Sequence, residues 1–234
     1  MLKRTVVTNY LRVLPHDGGL LLNDIPAGLK YVTRHDYRMD LEGGGKAAFL
    51  VEHVLGCLLL AGITTARVYG TSGEYDRTRQ THRDAEARGL PPSVVLGNPN
   101  GILDAGLYEA LKKSSTGEPA SERRIGVERE AAHSYPHGSI RVSPSDHLSI
   151  EVLSGDLSYF FELDDEEKIL EVVSAETPYI RGLTEDTMPH VVGDVVGDIV
   201  GIGGINCADI EIHPGREYHR ITIGVLKKLV KVEL

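Results

Sequence analysis

The sequence predicts an α+β fold made of two βα halves of similar size that face each other, and three observations carry that prediction. Strand-like and helix-like segments follow one another in the same plan twice along the 234 residues. Two central helices share an opening, His53-Val54-Leu55-Gly56 and His190-Val191-Val192-Gly193, and each ends in a Gly-Ile pair, Gly62-Ile63 and Gly201-Ile202. So short a match alone can arise by chance, but the segment 114–123 (SSTGEPASER) between the halves has the small, polar, Gly- and Pro-containing composition of a linker. The predicted domains are therefore 1–118 and 119–234.

In the first half, branched residues and turn-forming punctuation predict strands over 4–14 and 19–32, joined by a turn at Pro15-His16-Asp17-Gly18-Gly19. Gly43-Gly44-Gly45 breaks that pattern. A helix is expected over 46–61, with Gly62 as its stop, then a strand over 64–70. The stretch 71–100 is polar and irregular, and a short helix over 103–113 closes the half. In the second half, strands are expected over 124–131, 138–153, 157–163 and 168–174. A helix over 188–200, a strand over 207–212 and a last helix over 221–230 complete the plan.

Composition excludes several classes of function. Hydrophobic residues are 41% and charged residues 25%, the balance of a soluble globular protein. A formal net charge of -9 provides no global field to attract nucleic acid or an anionic membrane. Cys57 and Cys207 lie far apart, outside any CxxC pair, which suits a reducing compartment. The longest apolar run, 54–63, is too short to span a bilayer, and no signal-peptide core follows the N-terminus. The expected partner is a small molecule, and the expected location the cytoplasm.

His190, Asp194 and Asp198 stand at i, i+4 and i+8, which on an α-helix puts them on one face. The valines and glycines between them belong to a core, and burying unpaired charge there costs several kcal/mol. A metal held by His190 and Asp194 would justify the pattern, with Asp198 orienting another histidine. The alternative is that both aspartates face solvent and His190 caps the helix. Gly193 and Gly197 speak for close packing on that face. Glu52-His53 opens the first-half helix and would set a metal ligand beside a general base; the alternative is a first-turn glutamate favoured by the helix dipole. His219, in Gly215-Arg216-Glu217-Tyr218-His219, precedes the last helix.

These segments together resemble the UDP-3-O-acyl-N-acetylglucosamine deacetylases of lipid A synthesis, the LpxC family. Val51-Glu52-His53-Val54-Leu55 with Leu59-Leu60-Ala61-Gly62-Ile63 looks like the family's VEHLL…LAGLGI helix. The run from His190 to Asp198 looks like its HKxxDxxGD helix, and the segment 215–229, centred on His219, like its GGHxLNxxLxxxL ending. Ala175-Glu176-Thr177 is a shorter echo of its ARTF segment. The resemblance implies two similar two-layer βα sandwiches related by internal duplication, with zinc in the cleft between them. It implies His53, His190 and Asp194 as zinc ligands (iron(II) being the alternative metal), Glu52 as general base, and His219 as acid or oxyanion stabiliser oriented by Asp198. Thr177 would help polarise the substrate carbonyl.

The departures bear on the substrate. The lysine that follows the helix histidine in the family is Val191 here, and only 12 residues separate Thr177 from His190, where the family carries a long insert forming an acyl-chain passage. Glu217-Tyr218 replaces the Gly-Gly before the last histidine. The expectation is an N-deacetylase acting on an N-acyl amino-sugar or sugar nucleotide without a long acyl chain. The alternatives are a minimal form of the lipid A pathway deacetylase and a non-catalytic zinc-binding relative. Arg181 and Arg216 are candidates to bind an anionic group of the substrate.

Overall fold

A computed structural model describes residues 1–71, 80–98, 103–116, 126–178 and 182–230. It is an α+β structure with mixed sheets. In the first half, β1 (Val6–Val7), β2 (Leu11–Leu14), β3 (Leu20–Leu22), β4 (Ile25–Pro26) and β8 (Ala66–Gly70) form one sheet in the order β1-β2-β8-β3-β4. In the second, β9 (Ala131–Tyr135), β10 (Gly138–Pro144), β11 (Leu148–Ser154), β12 (Leu157–Glu162) and β13 (Ala208–His213) form another in the order β9-β10-β13-β11-β12. Taken in those orders the two sheets agree pair by pair: antiparallel, antiparallel, parallel, antiparallel.

Each parallel pair needs a crossover. The helix before its later strand is α1 (Glu52–Leu60) in the first half and α5 (Met188–Val195) in the second. A further helix follows that strand in each, α3 (Ala105–Ser114) and α6 (Tyr218–Leu229). The first half adds a three-stranded sheet, β5 (Val32–His35), β6 (Met39–Gly43) and β7 (Lys46–Phe49), and a helix α2 (Gln80–Ala87); the second adds α4 (Glu166–Ser174). One hydrophobic core runs through both halves, with Leu55 and Leu58 of α1 and Val191, Val192 and Val195 of α5 fully buried within it. No helix among the described residues is long and apolar enough to cross a membrane.

Several expected elements need correction. Residues 46–49 are strand, not helix: Gly44 and Gly45, both at positive φ (59° and 75°), turn β6 back into β7, and α1 begins only at Glu52. The segment 168–174 belongs to a helix rather than a strand, because Asp165 caps it by accepting from the backbone N–H of Glu167 and Lys168 at 3.1 Å, with two glutamates in the first turn. The expected strands 4–14, 19–32 and 138–153 are each split by a turn; of the strand expected over 124–131, residues 124–125 lie outside the described ones and only Ala131 of the rest belongs to a strand. The irregular stretch contains α2, its residues 72–79 and 99–100 lying outside the described ones, as do residues 117–123 of the expected linker.

The helix expected over 188–200 changes character midway: α5 is α-helical to Val195, and residues Val196–Ile202 continue it as a π-helix with wider, i→i+5 turns. This stretch lies along α1. At Gly197 an added Cβ would stand 2.4 Å from the carbonyl oxygen of Glu52, so only glycine lets the two backbones approach this closely.

Candidate metal centre

The start of α1 is fixed by β6. The backbone N–H of Val51 donates to the carbonyl of Met39 at 3.1 Å, and the N–H of Leu50, itself at a left-handed φ of 56°, donates to Asp40 at 3.2 Å. A buried ion pair stiffens that strand: Arg38 Nε donates to both carboxylate oxygens of Asp40 at 2.9 and 3.0 Å, and its Nη1 lies 2.8 Å from Asp84 on α2. Between these two residues, the N–H of Met39 donates to Glu52 Oε2 at 2.9 Å. The other oxygen, Oε1, is buried and accepts no hydrogen bond. Glu52 is thus held by one oxygen and free at the other. Burial pushes its carboxyl up to about 8, against the pull of His219.

His53 follows on α1, and α5 brings His190 and Asp194 to meet it. Ligand atoms of these three buried residues all lie within 4.8 Å of one another. His53 Nε2 is 3.3 Å from Asp194 Oδ1, and His190 Nε2 is 3.4 Å from Asp194 Oδ2. Ligands bonded to one tetrahedral zinc at 2.0–2.1 Å stand roughly 3.3 Å apart. The imidazoles are edge to face, with centroids 5.0 Å apart and planes at 85°. The carbonyl of Ala175 accepts from His190 Nδ1 at 3.4 Å, which fixes the tautomer and turns Nε2 toward the centre.

The donor set fits a cation. His190 Nε2 and Asp194 Oδ1 are buried without hydrogen-bond partners. Such orphaned groups cost several kcal/mol unless something compensates them, and a metal ion can use both. Burial lowers the His53 imidazole to about 4, leaving it neutral as a ligand must be. For Asp194 burial works the other way, yet His190 and His53 hold its carboxyl well below the usual range.

Asp198 sits in the π-helical turn next along, and its Oδ2 accepts from His219 Nδ1 at 2.8 Å. The wider turns of this stretch do not disturb the pairing expected from the spacing. The Thr222 hydroxyl, one helical turn after His219, donates to the same oxygen. His219 lies in the first turn of α6 rather than before it, and its Nε2 is 3.9 Å from Asp194 Oδ2. Burial opposes charge on this imidazole, but Asp198 overcomes it and raises the group to about 10. Burial also raises the Asp198 carboxyl.

Thr177 is buried two residues beyond the carbonyl that orients His190. Arg216 is exposed on the rim of a cavity of about 930 Å³, whose lining includes Pro178, Leu183, Gly215 and Tyr218. Arg181 lies outside the described residues. Sequence reasoning missed Tyr218, whose buried hydroxyl donates to Asp194 Oδ2. The only signal for it was a tyrosine standing immediately before His219. Against known proteins, the chain matches no protein-family model and no curated protein.

Proposed function

We propose that this chain is a zinc-dependent amide hydrolase, a short and divergent relative of the UDP-3-O-acyl-N-acetylglucosamine deacetylases. Its substrate would be an N-acyl amino-sugar or sugar nucleotide carrying a small acyl group such as acetyl. One observation carries the reading: a buried His53–His190–Asp194 cluster has a half-free carboxylate, Glu52, and a carboxylate-oriented imidazole, His219, gathered around it.

Zinc held by His53, His190 and Asp194, with iron(II) as the alternative, would lower the pKa of a water to about 7 and polarise the substrate carbonyl. Glu52, tethered by Met39, takes the proton of the attacking water on its free Oε1. His219, held through Nδ1 by Asp198, presents Nε2 to the centre and delivers a proton to the departing nitrogen. Thr177 would steady the carbonyl oxygen, and Arg216 would meet an anionic part of the substrate at the cavity rim.

Two further readings belong with this one. The matched strand orders of the two sheets support an internal duplication, giving a pair of two-layer sandwiches with the metal in the cleft where α1 and α5 meet. The unpaired buried cysteines suit a cytoplasmic enzyme.

The test is Glu52→Gln assayed on a panel of N-acyl amino-sugars and sugar nucleotides, with metal analysis of both proteins. Wild type is expected to carry about one metal per chain and to deacetylate a panel member, and the variant to keep its metal while losing about 10²–10⁴-fold in turnover. Undiminished turnover in the variant would sink the mechanism. A much faster reaction on a 3-O-myristoyl substrate than on UDP-N-acetylglucosamine would instead identify the lipid A pathway enzyme in minimal form.

A further inference from the structure

We infer that Tyr218 is a positioning residue of the metal centre, setting which oxygen of Asp194 is offered to the cation; this rests on the metal reading above. An ionised carboxylate can only accept, and a phenol is protonated at neutral pH, so the hydrogen bond between them runs from the tyrosine hydroxyl to Asp194 Oδ2. Oδ1 receives no donor at all and is buried. A charge-assisted bond of this kind stabilises one orientation of the carboxylate and lowers the electron density available on the bonded oxygen. Asp194 is thereby prepared to ligate through Oδ1 alone, which keeps the coordination low and leaves a position open for chemistry.

The rest of the side chain is fixed just as firmly. Tyr218 is 2% exposed, and its ring lies against His219, with centroids 4.7 Å apart and planes tilted by 40°. Tyr218 also lines the cavity shared by Pro178, Leu183, Gly215 and Arg216. One residue therefore touches a proposed metal ligand with its hydroxyl and the His219 imidazole with its ring, and lines the cavity as well. Neither a glycine nor a phenylalanine at this position could hold Asp194 in the same way.

Tyr218→Phe removes the hydroxyl and keeps the ring. Metal-free wild type and variant would be titrated with Zn²⁺ and Co²⁺ against a chelating indicator, and the visible spectrum of each Co²⁺ form recorded. The variant is expected to bind both ions about 10–100-fold more weakly, as loss of an outer hydrogen bond to a ligand does. Its Co²⁺ spectrum is expected to lose intensity as the freed carboxylate ligates through both oxygens and the coordination number rises. Thermal unfolding should show the metal-bound variant losing more stability than the metal-free one, which loses only the hydrogen bond to Asp194. Wild-type affinity with an unchanged Co²⁺ spectrum would overturn the inference. Destabilisation of the metal-free variant equal to that of the metal-bound one would overturn it too, by making Tyr218 a packing residue only. If wild type binds neither ion, the metal reading itself fails, which this experiment separates from a failure of Tyr218 alone.

Discussion

Asp198 and His219 form a buried pair joined at 2.8 Å through Nδ1, and the same carboxylate oxygen takes the hydroxyl of Thr222, so both residues of α6 are keyed to a single atom of the neighbouring π-helical turn. Because Nδ1–H is spent on the carboxylate, Nε2 is the nitrogen that faces Asp194. Under the proposed mechanism a proton carried on Nε2 would be delivered in a fixed direction.

Asp198→Asn should weaken that control without touching the ligands. Its amide can present either a donor or an acceptor to Nδ1, so the imidazole loses its enforced tautomer. Turnover is expected to fall about 10²-fold with metal content unchanged, within the range for a positioned acid. Adding His219→Ala to the Asp198→Asn background should cost less than it does alone, since the two residues act as a unit. Fully multiplicative losses in the double variant would show that the pair is not coupled.

Metal removal should be visible as stability. A cation that binds only the folded chain adds about 2.7 kcal/mol when present at a hundred times its dissociation constant. For a chain of this size each kcal/mol shifts Tm by about 2–4 °C. Chelation should therefore lower Tm by roughly 5–10 °C, and restored Zn²⁺ should return it. His190→Ala should already unfold at a temperature that neither chelator nor added Zn²⁺ changes, because it removes His190 Nε2, a buried atom with no hydrogen-bond partner that the metal would use. A melting curve of wild type indifferent to chelator would count against a resident metal.

The meeting of His53, His190 and Asp194 was more legible than the architecture, and for a physical reason. Spacing on a helix is a short-range property, so His190 and Asp194 at i, i+4 and the Glu52-His53 pair stood out in the chain, although each alone also allowed a structural reading and only the resemblance joined them. Asp198 was assigned its role on α-helical spacing, although its turn is a π-helix; Gly197, pressed against the Glu52 carbonyl, gives the local reason why the backbone lies so close, but no periodicity announced the wider turn. Residues 168–174 read as strand because Ile169, Val172 and Val173 are branched; the cap at Asp165 outweighed them. Tyr218 escaped because its partner, Asp194, lies 24 residues away and the contact exists only after α5 and α6 pack. The tether of Glu52 to Met39 is equally a tertiary fact.

The strand that carries Met39 leads to a prediction about pH. Asp84 on α2 accepts from Gln80 at 2.6 Å and from Arg34 at 2.9 Å, and it lies beside Arg38, the partner of Asp40. Partial burial works against its charge, but the Gln80 and Arg38 contacts outweigh this and hold its carboxyl below the ordinary value. A lowered folded-state pKa means that the unfolded chain binds more protons in the window between the two values, so stability rises with pH there. The contribution is then complete above the unfolded aspartate value of about 3.9 and is lost as pH falls below it. Asp84→Asn should cost about 1 kcal/mol at pH 7, nearly as much at pH 5, and progressively less below pH 4, as measured by urea unfolding at each pH. A cost that stays constant down to pH 3 would mean that Asp84 acts through packing rather than through its charge. Metal content should not change, since Asp84 touches the centre only through Arg38, Asp40 and the strand behind Glu52.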